Sequence, residues 1–315
     1  MRTVKQILPL AAAMAALLLI FGLWVPNFIS AENMLDLLQQ ISVNAILAFG
    51  MTLVILIGGI DLSVGALLSL VGATTVYILG KGSPEQQNLW LLAAAVPAGL
   101  AVAAGFGAFN GLCAAKTKMP PFIITLAMML VARGAAYRFN KGLPMRIPDQ
   151  QAVFLALGND RLFGVVPIPV VMMLILFAIV AILLHRTRFG QHLYAIGGNR
   201  EAARFTGIPI VRNEVLVYLI CSVLAGLASM IHTSQLYSAD PAAGEMFELN
   251  AIAAAVVGGT SFTGGRGTMY GTLIGAIIIG ILSKGLNQLG VHFSWQYIIK
   301  GSVILTAVYL DVRRR

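Results

Sequence analysis

Residues 37–79 read LLQQISVNAILAFGMTLVILIGGIDLSVGALLSLVGATTVYIL and contain a single charged side chain, Asp61. A helix that crosses a bilayer needs about 20 mainly apolar residues. The stretch holds two such runs, Leu37–Gly58 and Leu62–Leu79, joined by Gly-Gly-Ile-Asp. So short a polar interruption makes the Gly58–Gly65 region a break within the membrane rather than an aqueous loop.

Working outward, the same measure gives further runs at Ile7–Pro26, Leu89–Ala115, Pro120–Tyr137, Val166–Leu184, Val215–Leu236, Leu249–Gly258, Gly271–Leu282 and Trp295–Leu310. The expected fold is an all-α integral membrane protein of about ten transmembrane helices, one transmembrane domain over residues 1–315. The runs at Leu249–Gly258 and Gly271–Leu282 are short. Either they extend into their polar flanks or one of them is interrupted. The first run could pass for a signal peptide, but Trp24, Val25 and Pro26 stand where a small-residue cleavage site belongs, so it reads as a retained span.

Composition agrees. Hydrophobic residues make up 58% and charged residues 10%, with a mean hydropathy of +0.87. Soluble domains carry about 25% charge. The net charge of +9 lies between apolar runs, which fits membrane orientation better than nucleic-acid binding. Cys113 and Cys221 fall inside apolar runs with no metal-ligand spacing and read as small buried hydrophobes.

With the N-terminus inside, alternate loops gather Arg2, Lys5, Lys116, Lys118, Arg186, Arg188, Arg200, Arg204, Arg212, Arg266 and 313–315 on one side. These are thirteen of the 21 basic residues. Glu32, Asp36, Glu85, Asp149, Asp160, Asp240, Glu245 and Glu248 fall on the other. The excess of Lys and Arg marks the cytoplasmic face and places both termini there. The outer segment Arg138–Val165 runs against the trend. Its Arg138, Lys141 and Arg146 suit docking to an acidic partner as well as a plain solvated loop.

The longest cytoplasmic stretch is His185–Arg212, HRTRFGQHLYAIGGNREAARFTGIPIVR. Asn199 is placed to cap a helix, Glu201 falls in its first turn, Ala202, Ala203 and Arg204 continue it, and Gly207 followed by Pro209 ends it. The signals predict a short helix outside the membrane, suited to holding a soluble partner.

Polar groups inside the apolar runs are mostly neutral. Gln40 and Asn44 share a helix face one turn apart. Asn110 lies between Gly107 and Gly111, whose spacing permits close helix approach. Asn250, Asn287, Gln235 and Ser222 add further amides and a hydroxyl. Asp61 and Ser63 are placed to cap the helix that begins near Leu62, or to meet cargo. Many amides and few charges at membrane depth suit a path for a neutral, hydroxyl-rich solute. Segments 55–70 and 255–275 both run apolar, Gly-Gly, small polar, then Gly and apolar, a weak internal echo. The sequence contains no phosphate-binding GxxxxGK[ST] loop, no HExxH and no GxSxG.

Three stretches, Gln39–Leu70, AIGGNREAARFTGI at Ala195–Ile208 and Glu248–Val291, resemble the permease subunit of bacterial ATP-binding-cassette monosaccharide importers, nearest to the ribose type. The resemblance runs from about Pro26 to Asp311. It implies a homodimer of permeases, or a pair of related ones, with a fold similar to the vitamin-B12-type importers. It further implies a cytoplasmic ATPase that uses ATP and Mg2+, a periplasmic or lipid-anchored sugar-binding protein, and no cofactor or metal on this chain. Glu201, Ala202, Ala203 and Gly207 match the family's ATPase-docking signature, here in abbreviated form. Permeases for other sugars and for a furanose-like signal share these motifs. The competing class is an ATPase-independent secondary transporter or channel, for which the capped helix has no use.

Overall fold

The computed structural model describes residues 2–82 and 89–313; Glu85, Arg314 and Arg315 of the charge count lie outside them. The chain runs α1 (Arg2–Trp24), α2 (Ala31–Leu56), α3 (Val64–Leu79), α4 (Leu89–Lys116), α5 (Pro121–Asn140), β1 (Met145–Arg146), α6 (Ala152–Asn159), β2 (Arg161–Leu162), β3 (Val166–Pro167), α7 (Ile168–Arg186), α8 (Arg188–Gly198), α9 (Arg200–Phe205), α10 (Ile210–Gln235), β4 (Ser238–Ala239), α11 (Phe247–Val257), α12 (Met269–Gln288) and α13 (Phe293–Arg313). Among the described residues, α2, α4, α5, α7, α10 and α12 are long and apolar enough to cross a membrane, and Leu8–Trp24, Val64–Leu79 and Phe247–Val257 are shorter apolar helices. The strands form two small antiparallel pairs, β1 with β4 and β2 with β3.

α2 is the hub. Every residue from Ala45 to Leu56 is buried, and α7, α10, α11 and α12 pack around it. In lipid, association depends on close packing rather than water release, so small residues mark the contacts. A Cβ on Gly50 would stand 2.9 Å from Cys221, and one on Gly107 would stand 2.7 Å from the Tyr218 carbonyl. The Gly107/Gly111 pair thus brings α4 against α10, as its spacing predicts. Thr52 and Thr272 share a 2.7 Å hydroxyl contact between α2 and α12. Gly111→Ala, whose Cβ would meet Val215 Cα at 2.7 Å, should cost about 2 kcal/mol by overpacking. Gly105→Ala meets open space and should be neutral; thermal unfolding of the detergent-purified pair checks this.

The two short runs behave differently. The Gly271–Leu282 run extends into its flanks as the 20-residue α12, whereas α11 stays at 11 residues. The chain enters α11 through a non-helical segment with Gly244 and Met246 in the left-handed region, at φ 75° and 66°. Arg133 of α5 donates to the Pro241 and Ala243 carbonyls at 2.6 and 2.7 Å and to Ser69 Oγ at 3.2 Å. Backbone that leaves a helix inside a membrane survives only when its polar groups find such partners.

The internal echo is real in three dimensions. Gly58 and Gly59 N–H groups donate to Ile55 and Val54 carbonyls, closing α2; Gly259 and Thr260 donate to Val256 and Ala255, closing α11 in the same pattern. The left-handed residue is Gly58 in one and Gly259 in the other. The true register is therefore one residue off the Gly-Gly alignment.

Candidate functional site: a capped helix and an amide-lined cavity

The bundle has two distinct polar ends. At one, Leu56, Gly197 and Gly265 meet, Lys116 and Arg212 line one groove, and Pro9, Arg266 and Ala307 line another. The first half of α1 and the last turns of α13 therefore share this end with α9. At the other end lie α6 and the starts of α2 and α7. Gln39 donates to the Gly158 carbonyl, Arg161 pairs with Asp36 at 3.1 Å, and Lys284 Nζ donates to the Asn33 carbonyl at 3.0 Å.

α9 forms as its end signals dictate. Asn199 Oδ1 accepts from the Ala202 N–H at 3.0 Å. Gly207, at φ 80°, closes the helix while the Ile208 N–H donates to the Ala203 carbonyl. Ala203 is buried, and Glu201, Ala202 and Arg204 face out. Two further residues stand out that sequence reasoning passed over. Phe205 is 87% exposed on this charged surface, an aromatic with nothing over it. Glu214, just past the first turn of α10, is buried and receives both terminal guanidinium nitrogens of Arg200, Nη2 to Oε2 at 2.9 Å. This ion pair ties α9 to a long apolar helix. The cue in the sequence was an acid immediately before an apolar run, 14 residues after an arginine.

The polar residues at membrane depth fall into two groups. Gln40 and Asn44 of α2, Asn250 of α11 and Asn287 of α12 line one open cavity of about 440 Å³, with Gln296 and Lys300 of α13 across from them. That volume lies in the range that takes small molecules. Asn44 Oδ1 is buried with no partner among the described residues. Asp61, Ser63 and Asn110 are not in this cavity. They are fully buried at the α2–α3 break: Asp61 Oδ1 accepts from the Ser63 N–H at 2.9 Å and the Ser63 hydroxyl at 2.6 Å, and Asn110 Nδ2 donates to Ser63 Oγ at 3.0 Å. Asp61 therefore holds the turn into α3. Ser63 spends its hydroxyl on Asp61 and makes no side-chain bond to the helix it precedes.

The basic outer residues also separate. Arg138 and Lys141 are exposed at the end of α5, whereas Arg146 is paired with Asp149 at 2.9 Å. Its charge is already answered locally.

A mostly helical bundle with apolar spans, a polar cavity between them and a capped helix on its basic end defines a membrane permease. Residues 33–308 match the family model described as "Branched-chain amino acid transport system / permease component", and the chain belongs to that family. It is 45% identical over 305 residues to the ribose import permease protein RbsC of Escherichia coli K12, covering 96% of this chain and 92% of the relative. It is 45% identical over 298 residues to RbsC of Bacillus subtilis 168, covering 95% and 90%. The D-allose transport system permease protein AlsC of Escherichia coli K12 is 36% identical over 305 residues, covering 95% and 89%.

Proposed function

We propose that this chain is the transmembrane subunit of an ATP-binding-cassette importer that carries a monosaccharide, D-ribose, into a bacterial cell across the inner membrane. The observation that carries the reading is its likeness to two ribose import permeases over nearly its whole length. The whole chain acts as one permease domain of ten passes, similar to the vitamin-B12-type importers, and works as a homodimer. Both termini and α9 are cytoplasmic. A separate ATPase binds the nucleotide and Mg2+, and a sugar-binding protein delivers cargo from outside.

Asn199, Glu201, Ala202, Ala203, Arg204 and Gly207 form the docking knob for the ATPase. ATP binding draws the ATPases together, α9 moves with them, and the helices around the amide cavity rock between outward- and inward-open states. Gln40, Asn44, Asn250 and Asn287 offer donors and acceptors to sugar hydroxyls, beside Lys284 and Lys300 in the same cavity lining. Asp61, Ser63 and Asn110 serve the path by holding the α2–α3 break. Arg138 and Lys141 steer the binding protein.

Proteoliposomes holding this chain and its ATPase, with binding protein supplied outside, provide the test. The expected result is ribose uptake that needs ATP and all three components. Uptake by this chain alone would overturn the reading. Glu201→Lys places a cation on the positive end of α9 and should leave the protein in the membrane while uncoupling ATP hydrolysis from uptake. Normal uptake by that variant removes Glu201 from the docking surface. Neutralising Arg138 and Lys141 should weaken capture of the binding protein at low salt and leave it unchanged at high salt, a difference that titration at two ionic strengths reads directly.

A further inference from the structure

The Gly-rich loop 258–268 has no part in the reading so far. It lies between α11 and α12, and its sequence resembles a phosphate loop without the lysine. Its contacts say what it does. The Gly265 N–H donates to the Leu56 carbonyl at the end of α2, at 2.9 Å. Gly197, two residues before α9 is capped, lies so close that a Cβ there would collide with both the Leu56 carbonyl and Gly265 N. A Cβ on Gly264 would meet the Leu56 carbonyl at 2.9 Å, Gly58 N at 3.0 Å and Gly197 Cα at 3.2 Å. Gly264 and Gly265 also hold φ of 88° and 73°, which favour glycine. Two Gly-Gly pairs, 197–198 and 264–265, thus meet against the end of α2. Around this knot, Tyr194 Oη donates to the Gly267 carbonyl at 2.7 Å, and the Met269 N–H donates to His185 Nε2 at 3.2 Å. Burial pushes the Tyr194 phenol up to about 12, so it keeps the proton it donates.

We infer that this glycine knot, clasped by Tyr194 and His185, is the transmission joint that carries the movement of α9 to α2 and α12. Both helices line the amide cavity, through Gln40, Asn44 and Asn287. Backbone against backbone leaves no flexible side chain to absorb a displacement. Tyr194 and His185 are positioning residues: Tyr194 ties the loop to α8, and His185 ties the start of α12 to the end of α7. The inference rests on the proposed ATPase-driven reading, and its test separates the two.

The test uses the full complex in proteoliposomes, with ATP hydrolysis, sugar uptake and ATPase retention measured on the same sample. Tyr194→Phe and Gly197→Ala should keep the ATPase bound and hydrolysing, while uptake per ATP falls about tenfold, within the usual range of intersite coupling. Gly105→Ala is the control, because Gly105 lies on α4 outside the knot and a Cβ there meets nothing within 4 Å; it should transport normally. If Gly197→Ala does not assemble, Tyr194→Phe alone decides, since it deletes one hydroxyl and leaves the ring. Uptake and hydrolysis falling together, or unchanged uptake per ATP in Tyr194→Phe, overturns the joint. Equal behaviour of the two glycine variants does so as well. An ATPase that never binds the wild-type chain would instead sink the importer reading.

Discussion

Arg200→Ala is expected to do more damage than Glu214→Gln, although the two residues form one ion pair. Glu214 is 5% exposed at its side chain and Arg200 is 48% exposed. Removing the arginine leaves a carboxylate buried at the head of α10 with no counter-charge. Breaking a buried pair from that side costs about 3 kcal/mol or more, reduced here because one partner already reaches water. Removing the carboxylate charge instead leaves a guanidinium that can turn to solvent, which costs little. Both variants release α9 from α10, so both should lose most ATP-driven uptake, about tenfold or more if docking energy is no longer passed on. Only Arg200→Ala should lower the unfolding temperature markedly. Replacing both by apolar residues of similar length should recover the stability and not the uptake. Thermal unfolding and uptake on the four proteins make this a double-mutant cycle. Equal destabilisation by the two single variants would show that Glu214 is not held as a buried charge.

That pair also marks where sequence reading stops. The membrane class, five of the six long spans and the cap of α9 depend on local rules: run length, an N-cap side chain, a glycine at the left-handed position. Each was legible from consecutive residues. The cavity was half legible. Gln40 and Asn44 share a face by helical period, yet nothing in one dimension says that Asn250 and Asn287 join them while Asn110 does not. The division is made by the Gly107/Gly111 contact, which turns Asn110 towards Ser63 and closes it in. Arg146 shows the same limit at the surface, since its partner Asp149 three residues on was visible but its pairing was not. Glu214 and Arg133 were passed over because each acts across chain separations that only packing brings together. The Gly-Gly echo was seen and misaligned by one residue, because identical letters hide which glycine takes the positive φ.

Arg133→Met should be the most disruptive single change on the membrane side. The guanidinium serves three acceptors from one position, two of them carbonyls of the non-helical segment that leads into α11. Methionine keeps most of the volume and loses every donor. In lipid each abandoned carbonyl costs several kcal/mol unless water or another donor replaces the bond. The expected loss is about 3 kcal/mol, with local relaxation recovering part of the gross penalty. The consequence runs further than stability. Gly244 packs backbone to backbone against Gly65 of α3, so the segment is held from two sides and sets where α11 begins. When one side fails, α11 shifts and takes Asn250 out of line with Gln40 and Asn44 in the cavity. Uptake should therefore fall even in protein that remains folded at low temperature. Arg133→Lys separates charge from geometry. All three contacts come from Nη1, so an ammonium restores the positive charge, but on a shorter stem and without the planar group that fixes where this nitrogen sits it should recover only part of the stability and little of the transport. Lysine performing as well as arginine would reduce Arg133 to a counter-charge for this region. Wild-type stability and uptake in the methionine variant would mean that the segment entering α11 holds its shape without the clamp.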